Sequence, residues 1–253
     1  LMITTFIILV VTFLCLGSFL SCMAYRLVHP EHPNSTRSCC PQCHKPIAWF
    51  DLIPVLSWTL LRGQCRHCKK PISWLYPFIE LLTAIIFIAL FYKISMHYWL
   101  GYGIFFAALI ISIRTDLETM LISRWVTIAL IPVGILFSFL GLLPISVLNS
   151  MLGAFLGYGI LYGITKLFYL LTGKLGMGEG DFDLLAMIGS FTGIGGMWFS
   201  LMIGSVLGSI IGLFFVLISK NKNMSQPIPF GPFLAGGSIL FTLFSSFFLR
   251  LFL

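Results

Sequence analysis

The sequence predicts an all-α polytopic membrane protein of about eight transmembrane helices, with a cytoplasmic zinc-knuckle loop between the first and the second. Three observations carry this prediction. The 253 residues are 58% hydrophobic and only 9% charged, the mean hydropathy is +1.02, and uncharged runs of roughly 17 to 25 residues recur along the chain. That composition excludes an ordinary soluble domain.

The runs lie near 2–24, 77–92, 95–113, 125–143, 145–165, 184–200, 201–219 and 232–249. The first lacks a basic start and a small-residue cleavage site before Arg26, so it reads as a retained signal-anchor helix; Leu1, standing before Met2, reads as foreign to the natural start. The stretch Leu184–Ser219 carries no charge and as one helix would be roughly 54 Å long, too long for one crossing. A break is expected near Gly193, Gly195 and Gly196, where clustered glycine weakens a continuous helix. Gly153-x-x-x-Gly157 and Gly159-x-x-x-Gly163 are small-residue patterns, read first as packing within the protein and second as self-association.

Eight spans put loops 25–76, 114–124, 166–183 and 220–231 on one side. Thirteen of the fifteen basic residues fall there: Arg26, Arg37, Lys45, Arg62, Arg66, Lys69, Lys70, Arg114, Arg124, Lys166, Lys174, Lys220 and Lys222, leaving Lys93 and Arg250 opposite. The positive-inside rule makes the first side cytoplasmic. The net charge of +7 is then mostly topology, and no nucleic-acid partner is expected.

The domain organisation expected is a first transmembrane helix at 1–24, a cytoplasmic zinc-binding loop at 25–76 and a membrane domain at 77–253. The loop holds Cys40-Pro-Gln-Cys43 and Cys65-Arg-His-Cys68. Two such knuckles can turn four thiolates toward one tetrahedral centre, and a reducing compartment disfavours disulfides; a redox motif or unligated cysteines are the other readings. Zinc here would be structural, because four thiolates leave no position for a catalytic water and a loop this short needs metal to fold. His44 and His67 read as surface or supporting residues. Cys39, Cys15 and Cys22 receive no role, since cysteine on an apolar helix is usually a small hydrophobe.

Only eight carboxylates occur, and five cluster in Arg114-Thr-Asp-Leu-Glu-Thr-Met120 and Gly176-Met-Gly-Glu-Gly-Asp-Phe-Asp183. Both segments border apolar runs, where a charge is costly without a function. Asp116 ends span three and Asp181 opens span six at the same expected face. Two aspartates sharing a cleft are the chemistry of an aspartyl protease, one ionised to deprotonate water and one protonated to polarise the peptide carbonyl, titrating as a coupled pair. Glycines at 176, 178 and 180 permit close approach of a substrate backbone. The competing reading is a flexible loop with Asp181 as a helix cap. Glu118, about 200° from Asp116 on a helix, and Glu179 and Asp183 read as solvated acids or as attractors of a basic substrate segment. Glu80 reads as a helix-dipole partner, with a functional alternative open because acids at membrane depth are rare.

Taken together the chain resembles the type 4 prepilin peptidase family. The matching stretches are Gly17-Ser-Phe-Leu20 with Arg26, the two knuckles around Leu52-Ile-Pro-Val-Leu-Ser-Trp58, Pro71-Ile-Ser73 through Tyr76-Pro77 to Glu80-Leu-Leu82, Asp116, Gly176 to Asp181, and Pro229-Phe-Gly-Pro232. The resemblance implies that Asp116 and Asp181 are catalytic. It implies a prepilin or pseudopilin substrate, whose short basic leader is removed at the cytoplasmic face of a bacterial inner membrane. It also implies N-methylation of the new N-terminus with S-adenosylmethionine, for which the sequence shows no cofactor motif of its own. Two departures stand out: Asp183 replaces a frequent lysine, and Ser123-Arg124 replaces a frequent Pro-Asp or Pro-Asn. The expected result is a lost cation and an added acid beside Asp181, with consequences for pH optimum and substrate range. The rival functions are a zinc-knuckle transporter, whose acids should lie at mid-span, and a noncatalytic pilus-assembly scaffold.

Overall fold

The computed structural model describes residues 2–29, 38–40, 42–174, 176–218 and 228–252; Leu1, Arg37, Pro41, Ser219, Lys220 and Lys222 of the sequence arguments lie outside them. The described residues form eight α-helices in order: α1 (Met2–Val28), α2 (Leu56–Leu60), α3 (Leu75–Lys93), α4 (Trp99–Thr119), α5 (Arg124–Phe139), α6 (Val147–Thr172), α7 (Glu179–Ile218) and α8 (Gly231–Phe252). Short 3-10 turns lie at Trp49–Leu52 and Met96–Tyr98. Among the described residues β pairing is limited to two isolated bridges, Cys39 with Pro46 and Gln64 with Pro71.

Among the described residues five segments are long and apolar enough to cross a membrane, namely Met2–Val28, Leu75–Lys93, Met96–Thr119, Val147–Thr172 and Glu179–Phe214, and Arg124–Phe139 and Gly231–Phe244 are shorter apolar helices. The protein is thus a helical multi-pass membrane protein. Five spans by length and composition do not by themselves establish the expected eight. The difference lies in the two shorter helices and in α7, a 40-residue helix whose backbone leaves helical geometry at Gly193 (φ 70, ψ −171).

That break falls within the expected glycine cluster, and its cause is visible. A side chain at Gly193 would sit 2.6 Å from Asn149 Nδ2, and Asn149 Oδ1 accepts the Ile194 N–H at 3.0 Å. Asn149 of α6 therefore provides an acceptor for a backbone donor at the break, which would otherwise be costly to leave unmade in an apolar setting.

The helices also run past their expected ends. Arg114, assigned to a loop, lies inside α4 and is fully buried, and Lys166 lies inside α6. The helices end at left-handed caps, Met120 (φ 56) after α4 and Gly173 (φ 68) after α6, and not at the first charge. Caps close the orphaned carbonyls, so they set the end where a charge need not.

The chain forms two compact units, residues 1–92 and 93–253. In the first, α1 and α3 meet at Gly17, where any side chain would fall 2.8 Å from the Glu80 Cα, and Phe13 packs on Phe87 with ring centroids 5.5 Å apart. In the second, α7 packs against α5, α6 and α8. Gly153 and Gly157 of α6 face the α7 backbone at Gly189 and Leu185, with no room for a Cβ, whereas Gly159 and Gly163 face open space. The first pattern is thus used for internal packing. Phe105 of α4 stacks on Phe191 of α7 at 4.7 Å and 8°, and Ser150 Oγ donates to the Ser190 carbonyl at 2.6 Å. This packing fixes the ends of α4 and α7 that carry the acids.

Candidate active site and metal centre

Asp116 lies in the last turn of α4 and Asp181 in the first turn of α7. Neither is a loop residue, and Asp181 is inside its helix and not the residue before it. Asp116 is 4% exposed, and its Oδ2 accepts the Gly231 N–H at 2.9 Å. Gly231 is the first residue of α8, so the N-terminus of that helix, where unpaired N–H groups gather and the dipole is positive, points at the carboxylate. A Cβ at Gly231 would come within 2.8 Å of Asp116 Oδ2. Only glycine lets this backbone donor approach.

Asp181 is brought to the same place by the α4–α5 connection. The positions a Cβ would take at Gly180 and at Gly231 both lie 3.0 Å from the Ile122 side chain, which therefore sits between the neighbour of Asp181 and the partner of Asp116. The Asp181 N–H donates to the Gly178 carbonyl at 3.2 Å, tightening the glycine segment into the start of α7. The helix ends that carry Asp116 and Asp181, 65 residues apart in sequence, thus meet around Ile122.

The other acids of the two segments are engaged. Arg124, the first residue of α5, donates from Nε to Asp183 Oδ2 at 2.8 Å and from Nη1 to Glu179 Oε2 at 2.5 Å. Asp183 is 3% exposed. The expectation of a lost cation is therefore corrected: Arg124 supplies one, so the two departures from the family pattern form a charge pair. Arg114 Nη1 donates to Glu118 Oε2 at 2.5 Å, one turn along α4. Glu118 is oriented by that arginine, and Glu179 is the most exposed of the three.

The Glu80 expectation also changes. Glu80 is the sixth residue of α3, beyond its first turn, which places it too far along for a helix-dipole role. It is 6% exposed; its Oε2 accepts the Val55 N–H at 2.7 Å, and Ser18 hydrogen-bonds it from α1. Val55 has a positive φ of 61°, an unusual conformation for a β-branched residue.

In the loop, the Sγ atoms of Cys40, Cys43, Cys65 and Cys68 all lie within 4.8 Å of one another, with Cys40 and Cys68 at 3.9 Å. Ligands of a tetrahedral zinc with Zn–S of about 2.3 Å stand roughly 3.8 Å apart, so the set fits a metal. All four cysteines are free thiols. The two knuckles repeat one another. Cys40 N–H donates to the Lys45 carbonyl and Cys65 N–H to the Lys70 carbonyl, at 3.0 and 2.9 Å. His44 and Lys69 take the same positive φ, 55° and 58°. The repeat Cys-x-x-Cys-x-x-Pro-Ile, at 40–47 and 65–72, is the sequence signal of this duplication. The Cys65 thiol is pulled down to about 7, first by a hydrogen bond from the Cys68 backbone, which favours the thiolate a metal needs. Arg66 holds Asp51 through a bidentate pair at 2.7 and 2.8 Å, and this contact keeps the Asp51 carboxyl below its usual range.

A helical multi-pass membrane protein with two aspartates at one site and a four-cysteine knuckle pair is the class these features define. Residues 103–217 match the model described as the type IV leader peptidase family, and residues 11–94 match the bacterial peptidase A24 N-terminal domain. The chain is 39% identical over 204 residues to a prepilin leader peptidase/N-methyltransferase of Aeromonas hydrophila, covering 79% of this chain and 68% of that one. Proteins of the same name match from Xanthomonas campestris, 35% identical with 83% and 70% covered, and from Dichelobacter nodosus, 32% identical with 88% and 85% covered. No solved structure matches. The chain belongs to the type IV leader peptidase family.

Proposed function

We propose that the protein is a membrane aspartyl endopeptidase that removes the short basic leader of a prepilin or pseudopilin, with Asp116 and Asp181 as the catalytic pair. The observation that carries this reading is the meeting of the ends of α4 and α7 around Ile122, each with its aspartate, with Asp116 held by the Gly231 N–H. In the proposed mechanism one carboxylate is ionised and takes a proton from water. The other is protonated and donates to the scissile carbonyl oxygen as the tetrahedral intermediate forms. The two then exchange roles to protonate the leaving amine. The Gly231 N–H keeps Asp116 in place throughout, and Gly178 leaves space for a substrate backbone beside Asp181.

The site is assigned to the cytoplasmic face of the bacterial inner membrane on the strength of the basic-residue asymmetry. Residues 1–24 form the first span, 25–76 the zinc loop and 77–253 the peptidase domain in this reading. Glu179 is the acid best exposed to meet a basic leader, while Glu118 and Asp183 act mainly through Arg114 and Arg124. The four cysteines hold a structural Zn2+, which ties the two knuckles together. Methylation of the exposed N-terminus follows, as the names of the relatives suggest, with S-adenosylmethionine as methyl donor.

The test is to mix the purified protein with a prepilin-like substrate and follow the mass. Loss of the leader, then a gain of 14 Da, is expected. Persistence of the full-length substrate with folded protein contradicts the peptidase reading, and a mature N-terminus that stays unmodified in the presence of donor contradicts the methyl-transfer reading.

A further inference from the structure

The span α3 has 19 residues, about 28 Å of helix, and needs nearly its whole length to cross a hydrocarbon core of about 30 Å. Its first residue, Leu75, therefore stands at the edge of that core, and Glu80 lies roughly 7 Å further in along the axis. Glu80 Oε2 accepts the Val55 N–H at 2.7 Å. This bond takes the chain around Val55, between the two cysteine knuckles, below the membrane surface.

The backbone there is suited to lipid. Pro54 has no N–H to satisfy. The N–H groups of Val55, Leu56, Ser57 and Thr59 donate in turn to Glu80 and to the carbonyls of Pro54, Ile53 and Val55. The Ser57 and Thr59 hydroxyls donate back to the carbonyls of Ile53 and Val55. Donors matched within the chain are what a segment in hydrocarbon requires. Its outward side chains are apolar: Ile53, Leu56 and Leu60 are exposed, Leu60 at 82% and one turn beyond Leu56 on α2, whereas Ser57 is buried.

The flanks have the chemistry of a membrane surface. Trp49 and Trp74 are 79% and 60% exposed, Trp74 edge-on to Phe78 of α3 at 5.3 Å, and tryptophan is enriched where lipid meets water. Arg62, Arg66, Lys69 and Lys70 follow, all exposed. Arg66 is turned to Asp51 at 2.7 Å, so Arg62, Lys69 and Lys70 carry the charge offered to an outside anion. An apolar face with a basic rim is the pattern of interfacial binding to anionic lipid. A soluble partner would have to reach below the membrane surface to cover Leu56, whereas the bilayer is already there.

We propose that residues 49–60 are inserted into the leaflet at which α3 begins, and that Arg62, Lys69 and Lys70 bind the anionic phospholipid headgroups around them. The loop is then part of the membrane surface, and its second knuckle, placed between these cations in the sequence, is held at headgroup level.

The test uses the full-length protein in nanodiscs of phosphatidylglycerol and phosphatidylcholine in equal parts. Photoreactive benzoylphenylalanine replaces Leu60, Trp49 or, as a control, the exposed Gln42 of the first knuckle, and adducts are weighed after irradiation. The Leu60 and Trp49 probes are expected to give phospholipid adducts at least about fivefold more often than the Gln42 probe. The phosphatidylglycerol share of those adducts should exceed its share of the disc by about twofold. Arg62→Glu with Lys69→Glu should return that share to the disc value, and salt at about 1 M should do so without any substitution. The Trp49 probe, aromatic for aromatic, carries the test if the Leu60 probe does not fold, and the salt arm does so for the charge variant. Adducts to protein in place of lipid at both positions, or lipid yields no higher than at Gln42, overturn the insertion. A phosphatidylglycerol share equal to that of the disc overturns the headgroup contacts. None of these readouts requires an active peptidase.

Discussion

Arg124 Nε donates to Asp183 Oδ2 at 2.8 Å across 59 residues of sequence. Asp183 is nearly fully buried while the Arg124 side chain is 49% exposed, so the carboxylate depends on the arginine far more than the reverse. The pair joins the start of α5 to the first turns of α7, two residues from Asp181. Through Glu179 the same guanidinium also reaches the exposed beginning of α7.

Removing Arg124 strands a buried carboxylate. Arg124→Ala is expected to lower the melting temperature, though by less than breaking a fully buried pair would, because the arginine is half solvated. Asp183→Asn should cost less, since it keeps an acceptor. In a thermal double-mutant cycle the two effects should be clearly non-additive. Additive effects would show that the pair is incidental. The exchanged pair Arg124→Asp with Asp183→Lys should recover most of the cleavage lost in either single variant.

Gly231 is expected to tolerate no side chain. Gly231→Ala places a methyl group 2.8 Å from Asp116 Oδ2 and must displace either the carboxylate or α8. A shift of about 1 Å in a catalytic group can cost on the order of 100-fold. Cleavage should therefore fall about 10- to 100-fold in kcat with little change in KM, read from initial rates.

At the kink in α7, Asn149→Ala removes the acceptor of the Ile194 N–H. An apolar setting makes an unmade hydrogen bond cost about 1–3 kcal/mol, so a lower melting temperature is expected. Gly193→Ala should also destabilise, because it combines a φ of 70° with a clash at Asn149. A variant as stable as the wild type would mean that the break does not depend on this bond.

The four cysteines predict one zinc per chain by elemental analysis. Any single Cys→Ser at 40, 43, 65 or 68 should lower that content, and chelation should expose the loop to protease. With the metal acting only on the fold, leader cleavage should survive better than loop integrity. A full-length protein that lacks zinc and keeps a protease-resistant loop would contradict the structural role.

What the sequence makes visible is mostly local. The CxxC knuckles, the glycine break in α7, the apolar runs and the aspartates beside them are short patterns whose physical meaning does not depend on the rest of the chain. What escapes it is pairing over distance: Arg124 with Asp183, Asn149 with Ile194, Glu80 with Val55, and Asp116 with the Gly231 N–H across 115 residues. The lost cation expected beside Asp181 illustrates the gap. Each of the two departures looked like a change in charge when taken alone, and only their proximity shows them to offset one another. The knuckle repeat at 40–47 and 65–72 is the opposite case, since it could be read from the sequence directly.

The central claim is that Asp116 and Asp181 are the catalytic pair. The direct measurement is leader cleavage of a prepilin-like substrate, followed by mass, in Asp116→Asn and Asp181→Asn proteins whose melting temperatures match the wild type. Each substitution is expected to reduce cleavage by at least about 1,000-fold, as loss of one member of a cooperating catalytic set does. Cleavage within tenfold of wild type in either folded variant would contradict the assignment.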